Sequence, residues 1–200
     1  MKKVLLSLGA ALLMAAGAQA QTSYGIKAGV NLPKIKSEVG NVSHTSDAST
    51  NFYISGYANI FAGQNFAIQP GVSLQGKGGK SEILGVKSTT NLMSIEIPVN
   101  AVYYIPTGNS GSVFLGAGPY VGFNISGQNK TGDVKTDIDF GSKISETKVV
   151  DYGANFQGGY KFSNGFLVNA GYGLGLGNLS NADNAKSNNR VLSFGVGFEF

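Results

Sequence analysis

The sequence predicts an all-β protein, an eight-stranded antiparallel up-and-down β-barrel that crosses a membrane. Three observations predict it. From Gln21 onward apolar residues recur with period 2 rather than 3.6. One side of every alternating segment lacks Asp, Glu, Lys and Arg. The connections between segments alternate between long and short.

Composition sets the outer bounds. The chain has 200 residues, of which 42% are hydrophobic and 13% charged, enough for one compact domain or one small barrel. Glycine is in excess at 30 residues, but 5 prolines and no Gly-X-Y period exclude collagen. The absence of cysteine removes disulfides, thiolate metal sites and a lipidated N-terminal cysteine.

The first twenty residues read as an export signal. Lys2 and Lys3 form a basic start, Val4 to Gly17 an apolar run, and Ala18-Gln19-Ala20 an A-x-A cleavage site, which places the barrel domain at 21–200. No run reaches the roughly 18 apolar residues of a spanning helix. Losing Lys2 and Lys3 lowers the net charge from +4 to +2, so nothing in the charge points to nucleic acid.

The eight segments follow in order. Tyr24–Leu32 turns Tyr24, Ile26, Ala28, Val30 and Leu32 outward. In Phe52–Ile60 two aromatic sets compete; the outward choice of Phe52, Ile54, Ala58 and Ile60 leaves Tyr53, Tyr57, Ser55 and Asn59 inside. Phe66–Lys77, Met93–Ile105 and Val113–Ile125 alternate cleanly, as do Val150–Phe162, Phe166–Leu176 and Leu192–Phe200. Successive strand side chains point to opposite faces, so each segment has one apolar and one polar face. The polar set carries Lys27, Lys77, Glu96, Asp151, Lys161 and Glu199. A lipid-facing Lys or Arg costs about 2–4 kcal/mol at the midplane, which explains why charge is purged from one face only. A soluble carrier with its apolar set inward is the alternative, and extraction without detergent would reveal it.

Ala62–Asn65, Pro106–Ser112 and Ser163–Gly165 are short turns. Pro33–Asn51, Gly78–Leu92, Ser126–Val149 and Gly177–Val191 are long, polar and all at the opposite end, as in barrels with short periplasmic turns and longer external loops. Tyr24, Phe66, Tyr103, Phe162, Phe166 and Phe198 mark an aromatic girdle at the short-turn end, without tryptophan.

Inside, Tyr53, Tyr57, Phe61, Tyr104, Phe114 and Tyr120 are bulky, whereas Gly171, Gly173, Gly175, Gly177, Gly195 and Gly197 line the last strands. Either the rings fill the space left by the glycines or a water-filled cavity lies beside them. The inward charges are expected to pair, with Lys27 and Glu199 low and Lys77, Glu96 and Asp151 higher. Their functional reading is a gate or proton path; their structural one is a network that plugs the tube.

Catalytic patterns are weak. The single histidine, His44, has only loop neighbours Ser43, Thr45, Ser46 and Asp47, and no G-x-S-x-G occurs. The alternating glycines Gly171 to Gly177 are strand, not a nucleotide loop. Asp133, Asp137 and Asp139 lack the spacing of a calcium loop. No cofactor and no metal ligand set is expected, and the chain reads as non-enzymatic.

Several stretches carry a resemblance. Ser193-Phe-Gly195-Val-Gly-Phe198-Glu-Phe200 looks like the C-terminal signal read by the outer-membrane barrel assembly machinery. Phe66-Ala-Ile-Gln-Pro-Gly-Val, Ile95-Glu96-Ile97-Pro98, Gly116-Ala-Gly-Pro119-Tyr120 and Gly171-Tyr172-Gly-Leu-Gly-Leu-Gly-Asn178-Leu-Ser180 resemble the PorT-like outer-membrane β-barrel family. The resemblance implies a barrel of the OmpA/OmpX type in the outer membrane of a Gram-negative envelope. It carries no reaction. Gly71 departs from it, standing where family members often have an acidic residue.

The expectation is therefore a monomer in contact with outer-membrane lipids, assembled with periplasmic chaperones and the barrel assembly machinery. Its role is structural or surface interaction (adhesion or envelope integrity), with an extracellular ligand held by the loops Lys34–Thr50 and Gln128–Glu146. A narrow conduit for small solutes is the runner-up, and a lipid-modifying enzyme around His44 a third reading. The last segment reaches Phe200, and no peptidoglycan-binding module is expected.

Overall fold

The computed structural model describes residues 22–83 and 85–200. The sites read as signal cleavage, Ala18 and Ala20, lie outside the described residues. The strands are β1 (Thr22–Val39), β2 (Val42–Thr45), β3 (Asn51–Phe61), β4 (Phe66–Ile83), β5 (Val86–Pro106), β6 (Gly111–Thr131), β7 (Val134–Asp137), β8 (Val150–Phe162), β9 (Phe166–Gly175) and β10 (Ala185–Glu199).

Eight of them form the wall, in the order β10-β9-β8-β6-β5-β4-β3-β1, and β10 pairs with β1 to close the ring. All pairings in the wall are antiparallel between chain neighbours or across the closure. Closure leaves no unpaired edge in the spanning region, which hydrocarbon requires because it offers no hydrogen-bond partner. β2 and β7 lie off the ring, folded back on the upper parts of β1 and β6.

The register fixes the geometry of the tube. Following paired residues around the wall leads from Thr22 through Ile60, Ile68, Ala101, Ala117, Phe156, Tyr172 and Leu192 to Leu32. One circuit thus climbs ten residues of β1. With standard strand spacings, eight strands and that stagger give a tilt of about 40°, within the usual range for barrels.

Side chains sort as the alternation predicts. In β3, the segment with two competing sets, Phe52 is 53% exposed while Tyr53 is 5% exposed, so the tyrosines point inward. The phase slips once, at a bulge between Met93 and Ser94 opposite Ile125, above which β6 presents its even-numbered residues outward. The short turns use glycines with positive φ, Gly63 and Gly165 among them, a backbone region that other residues seldom adopt.

The connections expected as long loops are largely strand, which corrects their boundaries. β4 and β5 stay paired through Gly78–Leu92, up to Ile83 and Val86. β1 and β2 occupy much of Pro33–Asn51, β6 and β7 enter Ser126–Val149, and β10 begins at Ala185. Above the lipid the apolar demand on one face ends, so the alternation fades. The ladder continues because it needs only backbone N–H and C=O groups. Bridges from Asp47 to Lys80 and from Thr147 to Ser180 tie this crown together.

Candidate functional site

The lumen is stratified. At the short-turn end Tyr57, Ala67, Val102, Tyr104, Phe114 and Leu167 form an apolar cluster joined by Phe61. The rings of Phe61 and Tyr104 lie 5.6 Å apart, and those of Tyr104 and Phe114 6.1 Å. This plug occupies the bore of the tube. Beside it Glu199 accepts hydrogen bonds from Lys161 Nζ at 2.7 Å, Ser23 Oγ at 2.8 Å and Asn59 Nδ2 at 3.0 Å. The Lys161 ammonium also lies 5.0 Å above the Tyr104 ring.

Lys27 occupies the middle. It is buried, donates to Gln157 Oε1 at 2.7 Å and Gln69 Oε1 at 3.5 Å, and sits 4.5 Å from the Tyr57 ring centroid. The sequence suggested Lys27 and Glu199 as low neighbours that pair. In the structure an amide relay separates them: Gln69 Nε2 donates to Asn59 Oδ1 at 2.7 Å, and Asn59 donates to Glu199. Lys161, on β8, reaches Glu199 first, which strand alternation alone does not reveal.

Higher up, Lys77 meets both Glu96 and Asp151, the latter at 2.8 Å. All three are nearly fully buried, with Lys77 2% and Asp151 0% exposed. The Tyr120 ring centroid lies 4.8 Å from Lys77, and Asn189 Nδ2 donates to Asp151 Oδ2 at 3.3 Å. Strand register accounts for the meeting. Glu96 pairs with Gly122, which pairs with Asp151, and the missing side chain at Gly122 lets the flanking strands' carboxylates converge on one ammonium. The six inward charges comprise three cations and three carboxylates, so the lumen as a whole is neutral.

Both readings of the glycine strands hold locally. A Cβ on Gly195 would fall 2.2 Å from Tyr53 Oη, so that ring fills the glycine's space. At Gly173 the nearest atom would be 3.5 Å away, and there a cavity of about 90 Å³ opens between Lys27, Tyr53, Glu96, Gly171 and Gly173. It has room for several waters.

The amides that organise the lumen, Asn59, Gln69, Gln157 and Asn189, were not among the charges singled out from sequence. The signal of three was available, since Asn59, Gln69 and Gln157 occupy inward positions of alternating segments, whereas Asn189 lies in the connection Gly177–Val191, where no alternation marks a strand. At the C-terminus Ser193 and Gly195 face inward. Phe198 and Phe200 face outward with rings 5.2 Å apart, and Phe200 N donates to Tyr24 O at 2.8 Å.

The crown holds a second, wider concavity of about 590 Å³, with Thr90, Asn129, Asp137 and Glu146 on its walls and Leu92 and Leu179 in its lining. Lys143 N donates to Glu146 Oε2 at 2.9 Å, and that backbone hydrogen bond, aided by the Lys143 ammonium, holds the Glu146 carboxyl below the usual range. His44 is exposed on β2 opposite Ser37. Among the described residues no group of three or more His, Cys, Asp or Glu side chains is close enough to hold a metal ion.

A closed tube whose outer wall carries an apolar band free of charge, with a polar lumen, short turns at one end and a tall crown at the other, defines an outer-membrane β-barrel. The chain belongs to the outer membrane protein β-barrel domain family, which matches residues 18–181. No curated protein sequence matches significantly. Among solved structures it is similar to the Neisserial surface protein A, at 14% identity over 90% of this chain and 99% of that one, TM-score 0.49. It is also similar to the attachment invasion locus protein Ail of Yersinia pestis (11%, 90% and 99%, TM-score 0.40). A third is the N-terminal barrel domain of Pseudomonas aeruginosa OprF (16%, 91% and 100%, TM-score 0.40).

Proposed function

We propose that this barrel serves a structural or surface-interaction role, adhesion or envelope integrity, through its crown, and that it catalyses no reaction. One observation carries the reading. The bore is occupied by an aromatic plug and buried ion pairs, while the wall continues far beyond the lipid as paired hairpins enclosing a concavity. A volume near 590 Å³ lies within the range of small-ligand sites, and barrel mouths are among their usual places.

The same reading takes residues 1–20 as a cleaved signal peptide and the chain as a monomer of PorT-like type. Ser193, Gly195, Phe198 and Phe200 then act as the signal met by the barrel assembly machinery after periplasmic chaperones. The inward charges Lys27, Lys77, Glu96, Asp151, Lys161 and Glu199 serve as a structural network. A narrow solute conduit is the second reading, favoured by the cavity beside Gly171 and Gly173.

Planar-bilayer recording separates the two. The expected trace has no steady opening of nanosiemens size; a stable open pore overturns the structural reading. Cells carrying a barrel trimmed in the β4–β5 and β6–β7 hairpins should keep heat-modifiable gel migration and lose surface binding. Unchanged binding would remove the crown from the account.

A further inference from the structure

The seam where the ring closes carries an arrangement the lumen does not use. Outward residues of β1 and β10 pair as Val30 with Phe194 and Leu32 with Leu192, all apolar and within the outward band. The next outward pair up the same seam is Lys34 with Arg190, and above it Lys36 stands opposite Asn188. The change from apolar to cationic thus takes one step of the ladder. The wall at β4–β5, beyond β3, differs: above the pair Gly76 and Met93 come Gly78 and Asn91.

These residues line one groove of about 480 Å³, with Leu32, Tyr172 and Leu192 below and Lys34, Lys36 and Arg190 above. Arg190 Nη1 is fixed by the carbonyl oxygens of Gly175 and Asn189, which orients the guanidinium and leaves its remaining N–H groups available. Lys36 pairs with Glu38 at 2.6 Å. Lys186, directly opposite Glu38, is a further cation beside this carboxylate. Glu38 is held below the usual carboxylate range, first by its hydrogen bond from Lys36, with Lys186 and Arg190 acting in the same direction. With Asp47, between the lining residues Thr45 and Ala48, the side chains around the groove comprise four cations and two carboxylates, a positive balance.

We infer that this groove binds a phosphate-bearing lipid of the outer leaflet, its phosphate between Lys34 and Arg190 and an acyl chain along Leu32, Leu192 and Tyr172. Two features select that occupant. The apolar floor is continuous with the lipid-facing wall, so a chain already in the bilayer reaches it without leaving hydrocarbon. The cations begin at the height where acyl chains give way to headgroups, and a fixed guanidinium matches a phosphate's oxygens. Basic residues near a membrane surface attract anionic headgroups by about fivefold each, so the pair together contributes about thirtyfold.

Native mass spectrometry of the folded barrel, released from detergent with equal phosphatidic acid and phosphatidylcholine, tests this. The unaltered protein should retain phosphatidic acid preferentially. Lys34→Gln with Arg190→Gln should weaken that retention about thirtyfold. Lys80→Gln with Lys130→Gln, two exposed cations higher on the crown, should leave it unchanged. Equal retention of both lipids by the unaltered protein overturns the proposal even if the seam variant does not fold. So does an equal loss in the crown variant. Displacement by inorganic phosphate at the lipid's own concentration would make this a free-anion site and overturn the lipid assignment.

Discussion

Lys77 faces two carboxylates, and that ratio decides what each substitution does. Removing the cation in Lys77→Met leaves Glu96 and Asp151 buried together with no counter-charge, and Asp151 Oδ1 already lacks a hydrogen-bond partner among the described residues. Stranding buried charge in this way costs about 3–5 kcal/mol. Glu96→Gln instead leaves a one-to-one pair between Lys77 and Asp151, and the expected cost is within about 1 kcal/mol. Urea unfolding of the barrel in lipid vesicles measures both. Equal losses would show that Glu96 is as necessary as the lysine and that the triad does not act as one cation shared by two acids. Lys27 differs although it is also an inward lysine. Its partners are neutral amide oxygens and the Tyr57 ring, so its charge is solvated by dipoles rather than cancelled.

At the scale of elements, the wall strands are legible in sequence and the crown is not. The strands must satisfy lipid on one face, so Tyr24 to Leu32 or Met93 to Ile105 carry a period-2 pattern that no helix shares. Even β3 resolves, because placing Tyr53 and Tyr57 inside lets Ser55 and Asn59 join them. In the extensions from Gly78 to Ile83 and from Val86 to Leu92 both faces meet water or polar neighbours, and the pattern that identifies a strand disappears while the strand persists. The candidate network divides similarly. Alternation identifies which charges face inward, but not that Lys161 rather than Lys27 reaches Glu199, because that depends on the stagger of β8 against β10. The crown makes its own pH prediction. Glu146 accepts from Lys143 N, and its folded-state pKa lies below the ordinary carboxylate value. A depressed acid stabilises above its unfolded pKa, and that contribution is lost as pH falls through the folded value. The segment 139–148 should therefore stay ordered at neutral pH and loosen only in acid, below the usual carboxylate range. The Lys143 amide resonance, followed by NMR on acidification, reports it. A transition near neutrality would rule out Glu146 as the group responsible.

For the whole molecule, the register also measures the membrane. On β5 the outward face is apolar from Met93 to Ile105, and a strand tilted about 40° covers that span in about 30 Å, the thickness of a bilayer's hydrocarbon core. Val99 lies near the middle of the band and Ile125, beside the bulge, at its upper rim. The cost of a charge should follow that depth. Val99→Lys is expected to lose about 2–4 kcal/mol and Ile125→Lys about 0–1 kcal/mol when unfolded from vesicles. The contrast is sharper than either value, because both sites are outward strand positions and both exchange a β-branched apolar side chain for the same lysine. A soluble barrel with the same alternation would bury its apolar set around a ligand and leave no depth axis along the outer wall. Equal costs at Val99 and Ile125 would therefore remove the lipid from the outer face, and with it the reason why the six charges of the spanning segments, Lys27, Lys77, Glu96, Asp151, Lys161 and Glu199, all point inward.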